Sequence, residues 1–356
     1  MKTKLVYVLT CAPEATYIEQ ALMAVWSARY HNPDAHIVLM VDDKTDKLLT
    51  GNRGEINNYI SEKIVLPFED ESLTPMYRSR WIKTQVRQMI EGDFLFIDCD
   101  TICCRSLAEV DAFDYEVAAV GDNNTPFQED IYKNGTIENV LRIGCDISME
   151  KYYFSSGVVY CKDTKNVHRL YELWHRYWLE GTEVGVNIDQ PAFAKANIEL
   201  GHIITSIDDC YNCVLYTQTY KLPEAAILHI SNFKQTSVLF KKNVLQLIRE
   251  IGITPWVAEM IKHIHGTYLP FDYAIKHSTC SQRVGWIREN AFVLNLYGTH
   301  ISAKYEDWVF AVSIEPLMKL LFKINAYRTG MVLWMIWKRM SVIRKDSLRS
   351  NICAFR

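Results

Sequence analysis

The sequence predicts an α/β protein, in which a sheet flanked by helices is followed by a mainly helical C-terminal region. Short apolar runs alternate with amphipathic helical segments over about the first hundred residues, which is the pattern of βαβ units and a parallel sheet. From about Val238 onward, helical spacing dominates. We therefore expect a catalytic or binding domain over residues 1–237 and a helical region over residues 238–356.

The predicted strands are short apolar runs, several of them bounded by Gly, Pro or Asp. They cover residues 5–10, 36–41, 63–66, 94–97, 117–121, 152–161, 203–207 and 226–230. One of these runs contains Ser155-Ser156-Gly157, and a glycine inside a strand indicates a bend or the close approach of a ligand. We therefore expect the strand over 152–161 to be interrupted at that point.

The predicted helices show apolar residues at intervals of three and four. They cover residues 16–30, 75–90, 165–179, 187–197, 244–251, 256–264 and 314–324. Asn187 and Asp189 are both suitable N-caps for the helix that begins near Pro191. Residues 122–147 are polar and irregular, and a loop of that length in a compact domain is typical of a functional lid.

Composition narrows the class of protein. The chain has 356 residues, of which 49% are apolar and 23% charged, enough for a sizeable core. A net charge of −3 argues against a nucleic-acid partner. Ten cysteines without a regular framework favour a reduced, cytoplasmic chain, and Cys210-Tyr-Asn-Cys213 has no second pair for zinc. No run of 18 apolar residues predicts a membrane span, and residues 5–10 fit a buried strand better than a signal peptide.

Two carboxylates follow the apolar run Phe94-Leu-Phe-Ile97, and they are the strongest local signal of a site. Ligands of open α/β sheets bind beyond the carboxyl ends of strands, where Asp98 and Asp100 are expected. Alternate residues of extended chain point the same way, so both carboxylates can face one point. Two hard oxygen ligands at a strand end suit a divalent cation that carries phosphate. A solvated turn is the alternative.

Five motifs occur in a fixed order along the chain. They are Leu9-Thr-Cys-Ala-Pro-Glu-Ala-Thr-Tyr17, Arg78-Ser-Arg-Trp-Ile-Lys83, Asp98-Cys-Asp100, Phe154-Ser-Ser-Gly-Val158 with Asn187-Ile-Asp-Gln-Pro191, and Ile227-Leu-His-Ile-Ser-Asn-Phe-Lys234. Over residues 4–235 this order resembles the GT-A glycosyltransferases, and within them the retaining family of glycogenin and the bacterial lipooligosaccharide galactosyltransferases. The resemblance implies a GT-A fold, which is a Rossmann-like nucleotide-sugar-binding sheet flanked by helices.

The resemblance also implies roles for individual residues. Thr10 contacts the uridine and Tyr17 stacks on its base, although Glu14-Ala15 replaces the Asn-Asp pair common in this loop. Arg80 and Lys83 reach the donor from a helix that precedes the Asp-x-Asp motif. In both cases a purely structural role, as a turn or a solvated helix surface, is the alternative.

The remaining motifs supply the metal ligands and the sugar site. The resemblance implies that Asp98, Asp100 and His229 hold Mn²⁺, with Mg²⁺ as the alternative ion, because an imidazole ligand favours manganese. Four further residues are implied to bind the donor or act in catalysis: Ser155, Asp189, Gln190 and Lys234. Asp189 binds the sugar hydroxyls, Gln190 lies near the anomeric carbon, and Lys234 reaches the diphosphate.

The sequence thus predicts a Mn²⁺-dependent hexosyltransferase. It moves a glucose- or galactose-type sugar from a UDP-sugar to a glycan or lipid-linked hydroxyl, with retention implied by the resemblance. An inverting enzyme is the nearest alternative, with Asp122 or Asp146 as its base. A haloacid-dehalogenase-type phosphatase, with Asp208-Asp209 as a late metal site, and a non-catalytic sugar or lipid-surface binder are weaker alternatives.

The last thirty residues, 327–356, mix large apolar side chains with Lys and Arg. A basic amphipathic tail of this kind can lie on an anionic membrane surface, or it can pack as a terminal helix with a solvated basic face. The first interpretation predicts peripheral attachment at the cytoplasmic face of the membrane, where polysaccharide biosynthesis takes its lipid-linked acceptors.

Overall fold

The computed structural model describes residues 1–130, 132–214, 224–230 and 244–262. The first of two compact units comprises residues 1–237 and 243–265. The strands are β1 Lys4–Leu9, β2 Ile37–Asp42, β3 Glu62–Leu66, β4 Phe94–Ile97, β5 Thr101–Cys103, β6 Val117–Gly121, β7 Phe154–Cys161, β8 Ile204–Ser206, β9 Cys213–Val214 and β10 Ile227–His229. The helices are α1 Tyr17–His31, α2 Asp43–Asp46, α3 Gly51–Gly54, α4 Pro75–Lys83, α5 Val86–Met89, α6 Lys133–Arg142, α7 Lys165–Glu183, α8 Gln190–Glu199, α9 Val244–Ile251 and α10 Pro255–Lys262.

Seven strands form the main sheet in the order β3-β2-β1-β4-β7-β6-β8. Strands β1 to β4 pair in parallel, whereas β7 runs antiparallel to both of its neighbours. The predicted parallel arrangement of the first hundred residues is confirmed. A second, three-stranded sheet has the order β5-β10-β9, in which β10 is antiparallel to β5 and parallel to β9.

The core lies on both faces of the main sheet, because every residue of β2, β4 and β7 is buried. One face packs against α4, α5, α7 and α8, with Trp174 and Trp178 of α7 fully enclosed. Helix α1 packs on β1 and β5. The α/β class with helices flanking the sheet is therefore confirmed. Within the described residues, no helix is long and apolar enough to cross a membrane.

The structure corrects three details of the predicted elements. The helix expected over 75–90 divides at Thr84, whose hydroxyl donates to the Arg80 carbonyl 2.8 Å away and also lies 2.7 Å from His175 Nδ1. The segment 122–147 is not wholly irregular, since α6 occupies Lys133–Arg142. Strand β7 runs without a break through Ser155-Ser156-Gly157. Gly157 does not bend the strand but allows other side chains to lie close to its backbone.

The N-terminus of α8 also differs from expectation. Asp189 occupies the N-cap position, but its side chain makes no capping hydrogen bond. One carboxylate oxygen instead accepts a hydrogen bond from Ser156 Oγ at 2.9 Å. Asn187 contributes its backbone carbonyl to Trp178 Nε1 at 3.3 Å. Asp189 is therefore directed away from its own helix and towards β7.

Candidate metal and nucleotide-sugar site

Two carboxylates and one imidazole converge beyond the end of β4. Asp98 and Asp100 lie in the turn between β4 and β5, and His229 is the last residue of β10. The antiparallel pairing of β10 with β5 sets His229 opposite Thr101, one residue after Asp100. One ligand atom from each of the three side chains lies within 4.8 Å of the others. Asp98, Asp100 and His229, called here the metal-ligand cluster, are thus brought together as the sequence predicts.

The imidazole of His229 is oriented by Asn212, a residue that the sequence analysis did not single out. Nδ1 of His229 lies 2.8 Å from Asn212 Oδ1, and Nε2 lies 3.1 Å from Asp100 Oδ1. The amide oxygen accepts a hydrogen bond from the Nδ1–H group, and Nε2 faces the carboxylates. Asn212 itself is fully buried. The Asn212 contact thus orients the imidazole so that Nε2 points towards the carboxylates.

Gly157 allows β7 to pass directly beneath the metal-ligand cluster. A Cβ atom at this position would lie 2.6 Å from His229 Cε1 and 3.0 Å from Asp98 Oδ2. The Asp98 amide donates to the Gly157 carbonyl at 2.8 Å, which fixes the two backbones together. Any side chain here would displace His229 or Asp98.

A buried cation joins the metal-ligand cluster to the carboxylate of Asp189. Lys83 Nζ lies 3.1 Å from Asp98 Oδ1, 3.2 Å from Ser156 Oγ and 3.5 Å from Asp189 Oδ2. Arg80 Nε lies 3.2 Å from the other oxygen of Asp189. Lys83 is thus paired with the protein's own acids. Arg80 is about a third exposed and borders a cavity described below.

These contacts set the ionisation of the acids. Burial raises the pKa of Asp98, and the Lys83 ammonium opposes the rise without cancelling it. Burial also works to raise the pKa of Asp100, but the charge and hydrogen bond of His229 outweigh it, so that pKa is lowered. In Asp189 burial is outweighed by Lys83 and Arg80, and the pKa is lowered. Asp100 and Asp189 are therefore anions at neutral pH.

Two adjoining cavities meet at this cluster, and both are bordered by Arg80 and Asp98. The first, of about 280 Å³, is lined by residues that include Lys83, Asp122, Ser155, Asp189, Gln190 and His229. The second, of about 250 Å³, is lined by residues that include Thr10, Tyr17, Gln20, Pro75, Met76 and Asp100. Together they form a cleft within the size range of small-molecule sites. Every predicted site residue that the structure describes borders it.

The two predicted uridine contacts lie in the second cavity. Thr10 is buried and its hydroxyl donates to the Pro75 carbonyl at 2.5 Å, which ties the end of β1 to the start of α4. Tyr17 is 41% exposed and offers its ring to the cavity. Lys234 lies outside the described residues, as does the tail over 327–356.

Of the two acids considered as a base, only Asp122 borders the cleft. Burial raises the pKa of Asp122 to about 6, although the hydrogen bond from the Gln190 side chain works to lower this pKa. Asp146 is exposed and accepts from the Ser148 amide at 2.8 Å. Asp208 likewise accepts from the Cys210 amide at 2.8 Å and borders neither of these cavities.

The residues present fit a divalent cation. Two carboxylates and an imidazole within reach of one point form a mixed oxygen and nitrogen donor set, which is suited to a divalent cation. The orientation of His229 by Asn212 is the support that metal-binding histidines ordinarily have. Among the described residues, no other group of three such side chains satisfies the same distance.

Neither a protein-family profile nor a curated protein sequence matches this chain. Similar solved structures include the galactosyltransferase LgtC in complex with donor and acceptor sugar analogs, at 14% identity over 73% of this chain and 95% of that one, with a TM-score of 0.46. Mouse xyloside xylosyltransferase 1 is 14% identical over 65% of this chain and 98% of its own, with a TM-score of 0.44. The glycosyltransferase GlyE of Streptococcus pneumoniae TIGR4 is 15% identical over 75% of this chain and 64% of its own, with a TM-score of 0.44. The predicted resemblance to GT-A glycosyltransferases is confirmed as a resemblance, while function rests on the side chains of this chain.

Proposed function

We propose that this protein is a Mn²⁺-dependent glycosyltransferase that moves a hexose of the glucose or galactose type from a UDP-sugar to an acceptor hydroxyl. The observation that carries the proposal is the position of the metal-ligand cluster, Asp98, Asp100 and His229, between two cavities of different character. One cavity has an exposed aromatic ring, Tyr17, and the other has a buried carboxylate, Asp189. A nucleoside, a diphosphate and a sugar need these three environments in this order.

Each part of the cleft has a role in this proposal. Thr10 and Tyr17 bind the uridine, and Arg80 and Lys234 bind the donor phosphates. Asp98, Asp100 and His229 would hold Mn²⁺, which would supply the positive charge needed beside the departing UDP. Mg²⁺ is the second candidate, because carboxylates serve both ions.

The sugar end of the site depends on groups that are fixed before substrate binds. Asp189 stays ionised because Lys83 and Arg80 flank it, so it accepts hydrogen bonds from sugar hydroxyls. Ser155 and Gln190 complete this cavity, with Gln190 near the anomeric carbon. Catalysis then comes from positioning and electrostatic stabilisation rather than from a carboxylate nucleophile. In the retaining reaction the leaving phosphate takes the acceptor proton on the same face of the sugar.

An inverting reaction is the second candidate, and a specific observation favours keeping it. Asp122 borders the sugar cavity and has a pKa raised to about 6, which suits a general base. NMR spectroscopy of the first product formed distinguishes the two. The α-anomer from an α-linked donor supports retention, whereas the β-anomer shows inversion and makes Asp122 the candidate base.

The acceptor is a glycan or a lipid-linked sugar, and the tail over 327–356 brings the enzyme to the cytoplasmic face of the membrane. This part of the proposal rests on the basic amphipathic sequence alone, since the tail lies outside the described residues. Deleting 327–356 should release the protein from anionic liposomes and leave donor hydrolysis intact. Absence of liposome binding by the intact chain refutes it.

The reaction itself is tested by measuring UDP release from a panel of UDP-sugars, with Mn²⁺ and then with a chelator. We expect slow hydrolysis of one donor that stops on chelation. Release of inorganic phosphate from simple phosphate esters, with no turnover of any nucleotide sugar, would instead support the phosphatase alternative.

A further inference from the structure

The loop over residues 12–16, called here the nucleotide loop, has few internal means of keeping its shape. It joins Thr10 to Tyr17, which both border the second cavity. Its residues are alanine, proline, glutamate and threonine, none of them buried. Thr16 precedes α1 without donating or accepting a side-chain capping bond. The Ala15 amide donates to the Ala12 carbonyl at 3.1 Å and the Cys11 thiol lies 3.0 Å from that carbonyl, so local bonds hold one turn of the loop. The remaining support for the loop comes from groups elsewhere in the chain.

Two arginines from distant parts of the chain supply that support. Arg53 Nη1 donates to the Pro13 carbonyl at 3.0 Å, and its Nη2 donates to the Ala15 carbonyl at 2.8 Å. Arg249 Nη2 donates to the same Ala15 carbonyl at 2.5 Å. Both guanidinium groups also bind the fully buried carboxylate of Glu19, Arg53 through Nε at 2.7 Å and Arg249 through Nε at 2.8 Å.

Helix α9, which carries Arg249, is docked firmly enough to act as an anchor. Its residues Leu245 and Ile248 are 1% exposed. The Arg249 carbonyl accepts from Asn52 Nδ2 at 3.1 Å, and the Ile253 amide donates to Glu55 Oε2 at 3.0 Å. The helix therefore holds a fixed position against α3, whose Arg53 donates to carbonyls of the nucleotide loop.

We propose that Arg249 is a positioning residue for nucleotide binding, which fixes the nucleotide loop through Glu19 and Ala15 so that Tyr17 faces the base of the donor. This inference rests on the proposed function and adds to it a residue that touches neither substrate nor metal. It assigns a role in base recognition to the helical segment that follows the sheet. Removing the guanidinium leaves the loop with the support of Arg53 alone, which loosens it, and leaves the metal-ligand cluster unchanged.

The test compares two probes that share a diphosphate, of which only one carries a nucleoside. Binding of UDP and of inorganic pyrophosphate, each with Mn²⁺, is measured by calorimetry for the wild type and for Arg249→Ala. We expect UDP affinity to fall about tenfold, because the loop loses charged hydrogen bonds that fix it. Pyrophosphate affinity should stay within about twofold, because the metal-ligand cluster does not change.

Arg29→Ala is the matched control. Arg29 also donates to backbone carbonyls, those of Tyr59, Pro33 and Ala35, but it lies at the far end of α1. We expect both probes to bind this variant as they bind the wild type. If Arg249→Ala does not fold, Arg249→Lys serves instead, since one ammonium cannot reproduce the planar fork that reaches Glu19 and Ala15 together.

Further outcomes separate this inference from the proposed function. Unchanged UDP affinity in Arg249→Ala, or equal losses for UDP and pyrophosphate, would overturn the inference. The double variant Tyr17→Ala with Arg249→Ala should bind UDP no more weakly than Tyr17→Ala alone, and additive losses would also overturn it. If the wild type binds pyrophosphate but not UDP, the proposed UDP-sugar donor is wrong, and the proposed function fails with it.

Discussion

The metal-ligand cluster and the nucleotide loop lie at the same cleft but are held in place in different ways. Asp98, Asp100 and His229 are attached to the ends of hydrogen-bonded strands, and one ligand atom of each lies within 4.8 Å of the others. The nucleotide loop has no strand partner, and its carbonyls are bound by Arg53 and Arg249. The cluster is preorganised by backbone pairing, whereas the loop depends on side chains.

This difference bears on what each region contributes. Charge stabilisation requires groups that do not move when the leaving group develops charge, and the ends of strands provide them. Binding of a base tolerates larger movements of the protein than charge stabilisation does. We therefore expect a loop held by two side chains to be sufficient for base binding. Substitutions near the cluster should therefore change the reaction, and substitutions around the loop should change affinity and stability.

The largest expected effect is that of Asp98→Ala. Loss of one metal-binding carboxylate should reduce turnover of the UDP-sugar by a factor on the order of 10² to 10³, as for other losses of preorganised charge stabilisation. Steady-state kinetics with Mn²⁺ measures this. Asp146→Ala, which removes an exposed carboxylate outside the cleft, is the control and should retain full activity. Activity that survives in Asp98→Ala would contradict the metal assignment.

Gly157→Ala tests the cluster without removing a ligand. The added methyl group would lie 2.6 Å from His229 Cε1, so the imidazole must move. We expect Mn²⁺ affinity to fall about 10- to 100-fold, the range found for disturbed supports of metal ligands. Gly135→Ala in α6 is the matched control, because no atom lies within 4 Å of its Cβ. Equal Mn²⁺ affinity in the two variants would show that the cluster is adaptable.

Glu19→Gln tests the anchorage of the loop through stability. Burial works to raise the pKa of Glu19, but the hydrogen bonds of Arg249 and Arg53 outweigh it, so the pKa is lowered. The ionised carboxylate therefore stabilises the fold above the unfolded pKa, and this contribution is lost as the pH falls through the folded value. Urea unfolding at pH 7 should show a loss of about 2 kcal/mol relative to the wild type. The difference should shrink below pH 4.5, the ordinary value; a constant difference would refute the account.

The smallest expected effect is that of Asn212→Ala. Without the amide oxygen 2.8 Å from Nδ1, the His229 imidazole loses the contact that fixes its orientation. Mn²⁺ affinity should fall by about tenfold, less than in Gly157→Ala because the ligand atoms keep their places. Asn166→Ala, at an exposed site on α7, provides the comparison and should bind Mn²⁺ normally. A loss larger than that of Gly157→Ala would reverse this ranking.

The sequence predicted the cluster and the sheet better than it predicted their supports. Asp98, Asp100 and His229 each follow a short apolar run, and the ends of strands are where local pattern is most informative. Helix α6 escaped prediction because its residues are mostly polar and only Val140 is buried. The break at Thr84 depends on His175, a contact that spacing along the chain does not encode.

The supporting residues illustrate the same limit. Asn212 precedes His229 by seventeen residues and Arg249 follows Glu19 by 230, and no periodic signal links either pair. Their roles arise from packing of elements that are remote in sequence. Asp189 was expected near the sugar, but spacing along the chain does not show that its side chain leaves α8 uncapped. The side chain instead accepts a hydrogen bond from Ser156, and this contact depends on how β7 packs against α8.

The most direct test of the central claim is a titration with Mn²⁺, followed by electron paramagnetic resonance, in the presence and absence of UDP. We expect one site whose affinity for Mn²⁺ increases when UDP is added, and whose occupation is lost in Asp98→Ala and in His229→Ala. UDP binding should in turn disappear on chelation. Mn²⁺ binding that is indifferent to both substitutions, or UDP binding that is indifferent to the metal, would contradict it.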